Sequence, residues 1–181
     1  INTDAIDNSA GVDCSDHEVN IKILLGAAMA KRGLGIAQRN ELLAEMTDEV
    51  GEMVLDDNRA QTLALTIARR QALPMINVHS RYLNSLESEG WLNRALEFLP
   101  TDRQIAERQT AGTGLTTPEF AVLLAYTKTA NSVEIVKSDL PDDPYLLPDL
   151  LRYFPQRLQG KYRDEILGHR LRRELIATQL C

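Results

Sequence analysis

Thr116-Thr117-Pro118-Glu119-Phe120-Ala121-Val122-Leu123-Leu124-Ala125-Tyr126 is the stretch that decides the fold class. Thr116 and Glu119 have the spacing of a capping box, in which each side chain takes the other residue's backbone N–H. Phe120, Val122, Leu123, Leu124 and Tyr126 then follow almost without a polar break, which predicts a helix buried on most sides. The same start signal recurs at Thr101-x-x-Gln104 and Ser15-x-x-Glu18, and Ala111-Gly112-Thr113-Gly114 makes a turn between two of these helices. No stretch alternates with period two, and no Asn-Gly or Asp-Gly hairpin signal occurs. Leu, Ala and Arg, all good helix formers, are the commonest residues, followed by Glu and Asp. The expected fold is all-α, a multi-helix bundle.

Outward from this stretch the same grammar repeats. Ser15-Asp16-His17-Glu18 is expected to open the first helix, with acidic side chains at its positive end; Gly33 and Gly35 close it. A second helix is expected over 37–55, stopped by Asp56-Asp57-Asn58. Asn58 and Gln61 then read as the cap pair of a third, which Pro74 kinks or restarts. A short helix is expected over 91–99, ending at Pro100. Pro141, Pro144 and Pro148 punctuate a compact connection before the last helices, which carry Tyr153, Phe154, Tyr162, Ile166, Leu175 and Ile176. No 20–50-residue period marks a solenoid.

Composition narrows the function classes. With 44% hydrophobic and 25% charged residues, the 181-residue chain is ordinary globular protein rather than long disorder. Its formal charge of −6 argues against a broad nucleic-acid-binding face. No run reaches the roughly 20 apolar residues of a membrane span. Two cysteines, Cys14 and Cys181, make no disulfide framework and suit a reducing cytoplasm. The chain opens on Ile1-Asn2-Thr3-Asp4 and closes within an apolar-periodic helix, so it reads as a piece of a longer polypeptide.

Few residues point to chemistry. Gly112-Thr113-Gly114 and Gly33-Leu34-Gly35 lack the strand and Lys of a phosphate loop, and serve as helix ends. Cys14, His17, Asp13 and Asp16 could be grouped as metal ligands, but nothing completes the set; they read as a helix-start cluster, and no metal is expected. His79 and His169 read as surface or lightly bonded residues. His169-Arg170-Leu171-Arg172-Arg173 reads as a solvated face or as pairs with Asp164 and Glu165. The polar segment before Ser15 reads as a loop entering a helix N-terminus, where free N–H groups and the Ser15 hydroxyl suit a carboxylate.

At this segment the sequence resembles a known family. Asn8-Ser9-Ala10-Gly11-Val12 followed by Ser15 is similar to the Asn-Ala-Gly-Gly-Val…Ser segment of glutamate dehydrogenases. The longer string from Asn2 through Lys22 resembles the large bacterial NAD-specific members. So do Met46-Thr47-Asp48-Glu49-Val50, Arg94-Ala95-Leu96-Glu97-Phe98-Leu99-Pro100, Ser138-Asp139-Leu140-Pro141-Asp142-Asp143-Pro144-Tyr145 and His169-Arg170-Leu171-Arg172-Arg173-Glu174. The likeness covers essentially the whole chain in order. It departs from the smaller dehydrogenases at Ala10, where they have Gly, and at Asp16-His17, where they have aromatic residues.

The resemblance implies oxidation of glutamate by NAD, through an imine, to 2-oxoglutarate and ammonia: bacterial amino-acid catabolism in the cytoplasm. It implies that Ser15 binds the substrate side-chain carboxylate, that Val12 lines the substrate pocket and that Asn8 lies near the nicotinamide. No catalytic residue is expected in this segment, since the family's catalytic Lys, Asp and dinucleotide fold lie upstream of Ile1. The implied organisation is a catalytic-domain end over 1–99, with a loop over 1–15 left over from an α/β dehydrogenase domain, and a helical C-terminal domain over 100–181. The implied partners are glutamate or 2-oxoglutarate, the upstream domain and further copies in a homo-oligomer, with no nucleic acid and no membrane. The segment alone is expected to be inactive. The alternative is a helical interaction, regulatory or oligomerisation module without a catalytic role.

Overall fold

A computed structural model describes residues 2–181. Among these residues there is no strand, and the all-α expectation holds. The α-helices are α1 (Asp4–Asp7), α2 (Ser9–Arg32), α3 (Ile36–Glu45), α4 (Thr47–Arg70), α5 (Ile76–Ser88), α6 (Asp102–Thr110), α7 (Thr117–Lys137), α8 (Leu147–Arg152), α9 (Gln156–Lys161), α10 (Arg163–Leu167) and α11 (Arg172–Leu180). No helix among the described residues is long and apolar enough to cross a membrane.

The chain forms two compact units, neither continuous in sequence. The first joins the residues up to Ser9 with Asn58–Ala130, around Ile6, Leu83, Leu86, Ile105, Leu115 and Phe120. The second joins Ala10–Asp57 with Asn131–Cys181, around Leu24, Leu25, Met46, Leu150, Phe154 and Ile176. In the first unit α7 buries Phe120, Ala121 and Leu123, as its apolar run requires. Both expected capping boxes are present there. Thr101 N–H donates to Gln104 Oε1 at 2.9 Å and Thr116 N–H to Glu119 Oε2 at 2.7 Å. Arg108 grips the same Glu119 carboxylate with two bonds, at 2.6 and 2.8 Å. Burial pushes the Glu119 carboxyl up, but Arg108 and Thr116 together hold it below its ordinary value. The stability this contributes is present above the unfolded carboxyl pKa and is lost as pH falls through the depressed one.

Five local expectations are corrected. Residues 1–15 were expected as a loop, yet α1 and the start of α2 occupy the described part of that stretch. Glu18 does not reach back to Ser15; it pairs forward with Lys22, the favoured order one helical turn apart. The 37–55 helix is split at buried Met46, and Asp48 and Glu49 then supply the acidic first turn of α4. Asn58 caps nothing: α4 runs through it, and its side chain donates to the Ser9 hydroxyl at 3.2 Å. The 91–99 helix is replaced by one turn, because Asn93 Oδ1 takes the N–H groups of Ala95 and Leu96 at 3.0 and 3.2 Å. Pro74 does restart the chain, between the ends of α4 and α5.

Gly114 is required for a different reason than turn conformation. A Cβ there would lie 2.5 Å from the Ala72 carbonyl carbon and 2.6 Å from its oxygen. Backbone cannot yield as a flexible side chain can. Gly114→Ala is therefore expected to destabilise the protein by roughly 1–3 kcal/mol, as overpacking does. Urea unfolding checks this, and a loss below about 0.5 kcal/mol, the scale of an ordinary surface change, would contradict it.

Candidate functional site on the second helix

Helix α2 carries two of the three residues singled out for binding. It buries His17, Asn20, Ile21, Leu24, Leu25 and Ala28, an i, i+3, i+4 stripe that turns the opposite face outward. Val12, 73% exposed, and Ser15, also exposed, lie three residues apart on that outer face. Ser15 sits well inside the helix rather than at its start, so its N–H belongs to the helical ladder. The argument from free N–H groups and the positive helix end does not apply to it. What Ser15 offers is a hydroxyl on a helix flank. Asn8, exposed, is the C-cap of α1 and stands outside α2.

The inner face of α2 holds a polar network. Tyr153 OH donates to Asp16 Oδ2 at 2.7 Å and accepts from Asn20 Nδ2 at 2.9 Å. Burial, then the neighbouring Asp16 carboxylate, push the Tyr153 phenol far above its ordinary pKa. His169 was expected near the surface but is buried. Its Nε2–H donates to the Asn20 carbonyl at 3.2 Å and its Nδ1 accepts the Leu171 N–H at 3.2 Å, which satisfies the neutral ring. Burial holds its pKa below the usual imidazole value. His79 is half-buried, edge-on to Phe120 at 4.9 Å between centroids.

The expected cluster of Cys14, His17, Asp13 and Asp16 is only partly assembled. Asp16 turns to Tyr153, and Cys14 is exposed. Asp13 and His17 are joined instead by Asp57, the three ligand atoms lying within 4.8 Å of one another. Asp57 comes from α4, so no local spacing announced it. His17 Nε2 is 3.8 Å from Asp13 Oδ1, too far for a hydrogen bond, and its ring stacks on Tyr153 at 4.6 Å. Burial and then the like charge of Asp57 push the Asp13 carboxyl up. Two arginines of the basic run are also paired internally, though not with the expected acids. Arg172 and Arg173 bind Asp142, and Arg173 also donates to the Val136 and Ser138 carbonyls. Asp164 and Glu165 are taken by Arg32.

Among the described residues there is no strand–turn–helix unit of the kind that cradles a dinucleotide.

Comparison with known proteins identifies the class. Residues 1–68 match the family described as bacterial NAD-glutamate dehydrogenase, catalytic domain, and residues 112–181 match glutamate dehydrogenase, C-terminal. An NAD-specific glutamate dehydrogenase of Halomonas elongata is 47% identical over 181 residues, all of this chain and 11% of that protein. Those of Pseudomonas aeruginosa and Mycobacterium tuberculosis are 49% and 45% identical over 180 residues, 99% of this chain and 11% of each relative. The chain belongs to the bacterial NAD-specific glutamate dehydrogenase family. It spans about 11% of the length of the curated relatives it matches.

The Asp13–Asp57 contact gives a direct test. Asp57→Asn removes the like charge and leaves the burial, so the Asp13 carboxyl is expected to titrate lower while staying above an ordinary aspartate. Carbon-detected NMR titration of Asp13 reads this; an unmoved titration would mean that the two carboxyls do not face each other.

Proposed function

We propose that this chain is part of an NAD-dependent glutamate dehydrogenase that converts L-glutamate, NAD and water to 2-oxoglutarate, ammonia and NADH. The observation that carries this reading is the match of the whole chain, at 45–49% identity, to proteins of that name. In the parent enzyme Ser15 donates its hydroxyl proton to the substrate side-chain carboxylate, and Val12 lines the pocket beside it. The placement of both on one exposed face of α2 supports a surface that the rest of the enzyme completes. Asn8 stands near the nicotinamide. NAD supplies the hydride acceptor, and its cradle and the catalytic groups belong to other parts of the parent. The division into a catalytic-domain end over 1–99 and a helical C-terminal domain over 100–181 is supported by the two family matches, which end at residue 68 and begin at residue 112. The parent works in the cytoplasm as a homo-oligomer.

Ser15→Ala in the full-length enzyme is expected to weaken glutamate binding by about 1.5–3 kcal/mol, the worth of one hydrogen bond to a charged group. Glutamate affinity measured with the variant decides the matter. A change below about twofold would leave α2 without a substrate role and favour a helical interaction module instead. The 181 residues alone should show no glutamate turnover.

A further inference from the structure

Residues 91–100 build a rigid tip with its apolar side chains on the outside. The chain threads inward at Leu92, Arg94 and Leu99, which are 4%, 6% and 6% exposed. It threads outward at Leu96 and Phe98, which are 74% and 91% exposed. Arg94 is the inner anchor: its guanidinium donates to the Pro100 carbonyl at 3.2 Å and to Asp102 at 2.9 Å, reaches Asn84, and lies 3.2 Å from Glu87. A second anchor sits on the other side of Leu96, where Tyr126 OH donates to Glu97 Oε1 at 2.6 Å. The turn closes with the Leu99 N–H bonded to the Arg94 carbonyl at 2.9 Å, the Schellman closure that places one residue in the left-handed region. That residue is normally Gly; here it is Phe98, at φ 54°. An aromatic side chain at such a backbone position is strained, and nothing in the first unit covers its ring.

We infer that the Leu96–Phe98 tip is a docking knob that inserts into an apolar socket on another segment of the same polypeptide, outside these 181 residues. The relatives are about nine times longer than this chain, so most of such a polypeptide lies beyond it. Two side chains cannot hold two free molecules together, because a stable interface between separate chains buries roughly 1,200 Å² or more. A knob this small suffices where the two surfaces are already linked by the chain, since linkage supplies a high effective concentration. The strained, doubly anchored backbone serves the same end, as the ring is held in its docking position before contact and little order has to be created on binding. The inference rests on the chain's belonging to a longer polypeptide, and it stands or falls separately from the role given to Ser15.

The test is site-specific photocrosslinking in the full-length parent enzyme. A benzoylphenylalanine is placed at position 98, at position 96 in a second protein, and at Arg103 as a control. Arg103 has a side chain 88% exposed on the neighbouring helix α6. Subunits of heavy and light isotope are mixed so that crosslinks within and between chains are told apart. Positions 96 and 98 are expected to crosslink at least tenfold more than position 103, to apolar residues of the same chain outside this segment. Crosslinks between heavy and light chains would overturn the inference in favour of a contact between copies. Yields no higher than at position 103 would overturn it as well. Position 96 leaves the strained residue untouched and decides the matter if the variant at 98 folds poorly.

Discussion

The inner stripe of α2 sets the orientation on which the rest of its functional reading depends. Asn20 cannot be buried alone, because an unpartnered buried amide costs on the order of a few kcal/mol. Its Nδ2 donates to the Tyr153 hydroxyl and to the Asp16 carboxylate, while its Oδ1 is left without a partner among the described residues; His169 Nε2–H donates to its main-chain carbonyl. Asp16 completes the arrangement by accepting the Tyr153 hydroxyl proton. Tyr153 and His169 come from far along the sequence, and they rotate the helix so that Leu24, Leu25 and Ala28 fall into the second core. With that face inside, helical geometry leaves Val12, Ser15 and Val19 outside. The exposure of the proposed substrate face is thus a consequence of what the opposite face must bury.

Exposed apolar surface in this chain falls into two kinds. Single residues such as Leu73 and Leu140 are ordinary for a protein surface. Val12 and Val19 on α2, and Leu96 and Phe98 on their anchored turn, are different, because each pair stands on a segment whose other side is firmly held. A segment that is fixed from within and apolar without is suited to contact. For α2 the contact we propose is with substrate and the surrounding enzyme; for the turn it is with another part of the chain.

The charged groups are mostly consumed by structure. Arg32, Arg94, Arg108, Arg172 and Arg173 each hold carboxylates of this chain, and Arg94 and Arg173 also take backbone carbonyls. Within the basic run near the end of the chain, Arg172 and Arg173 are therefore spent internally. The Asp13–His17–Asp57 group shows the opposite situation, with two acids close together and a buried ring that gives neither a close hydrogen bond.

Much of the fold could be read from local signals. The boxes at Thr101 and Thr116, the apolar run after Glu119 and the break at Pro74 act within a few residues, and each is where spacing placed it. The class of parent protein was legible from the strings beginning at Asn8 and Ser15. The errors arose where a local signal competed with a distant one. Ser15-x-x-Glu18 has the form of a helix start, but Lys22 offered Glu18 a partner in the other direction. Asp56-Asp57-Asn58 has the form of a break, but Asn58 found the Ser9 hydroxyl across 49 residues. Residues 91–99 have helical periodicity, but Asn93 and the inward pull of Arg94 closed them into a single turn. Sequence alone determined that the chain is helical, where α5, α6 and α7 begin, and which family it resembles, because those depend on neighbours along the chain. Only the tertiary structure decided that α2 starts at Ser9, that Asp57 joins Asp13 and His17, and that Phe98 stands outward on a strained backbone. Each of those depends on groups that meet only after the chain has folded.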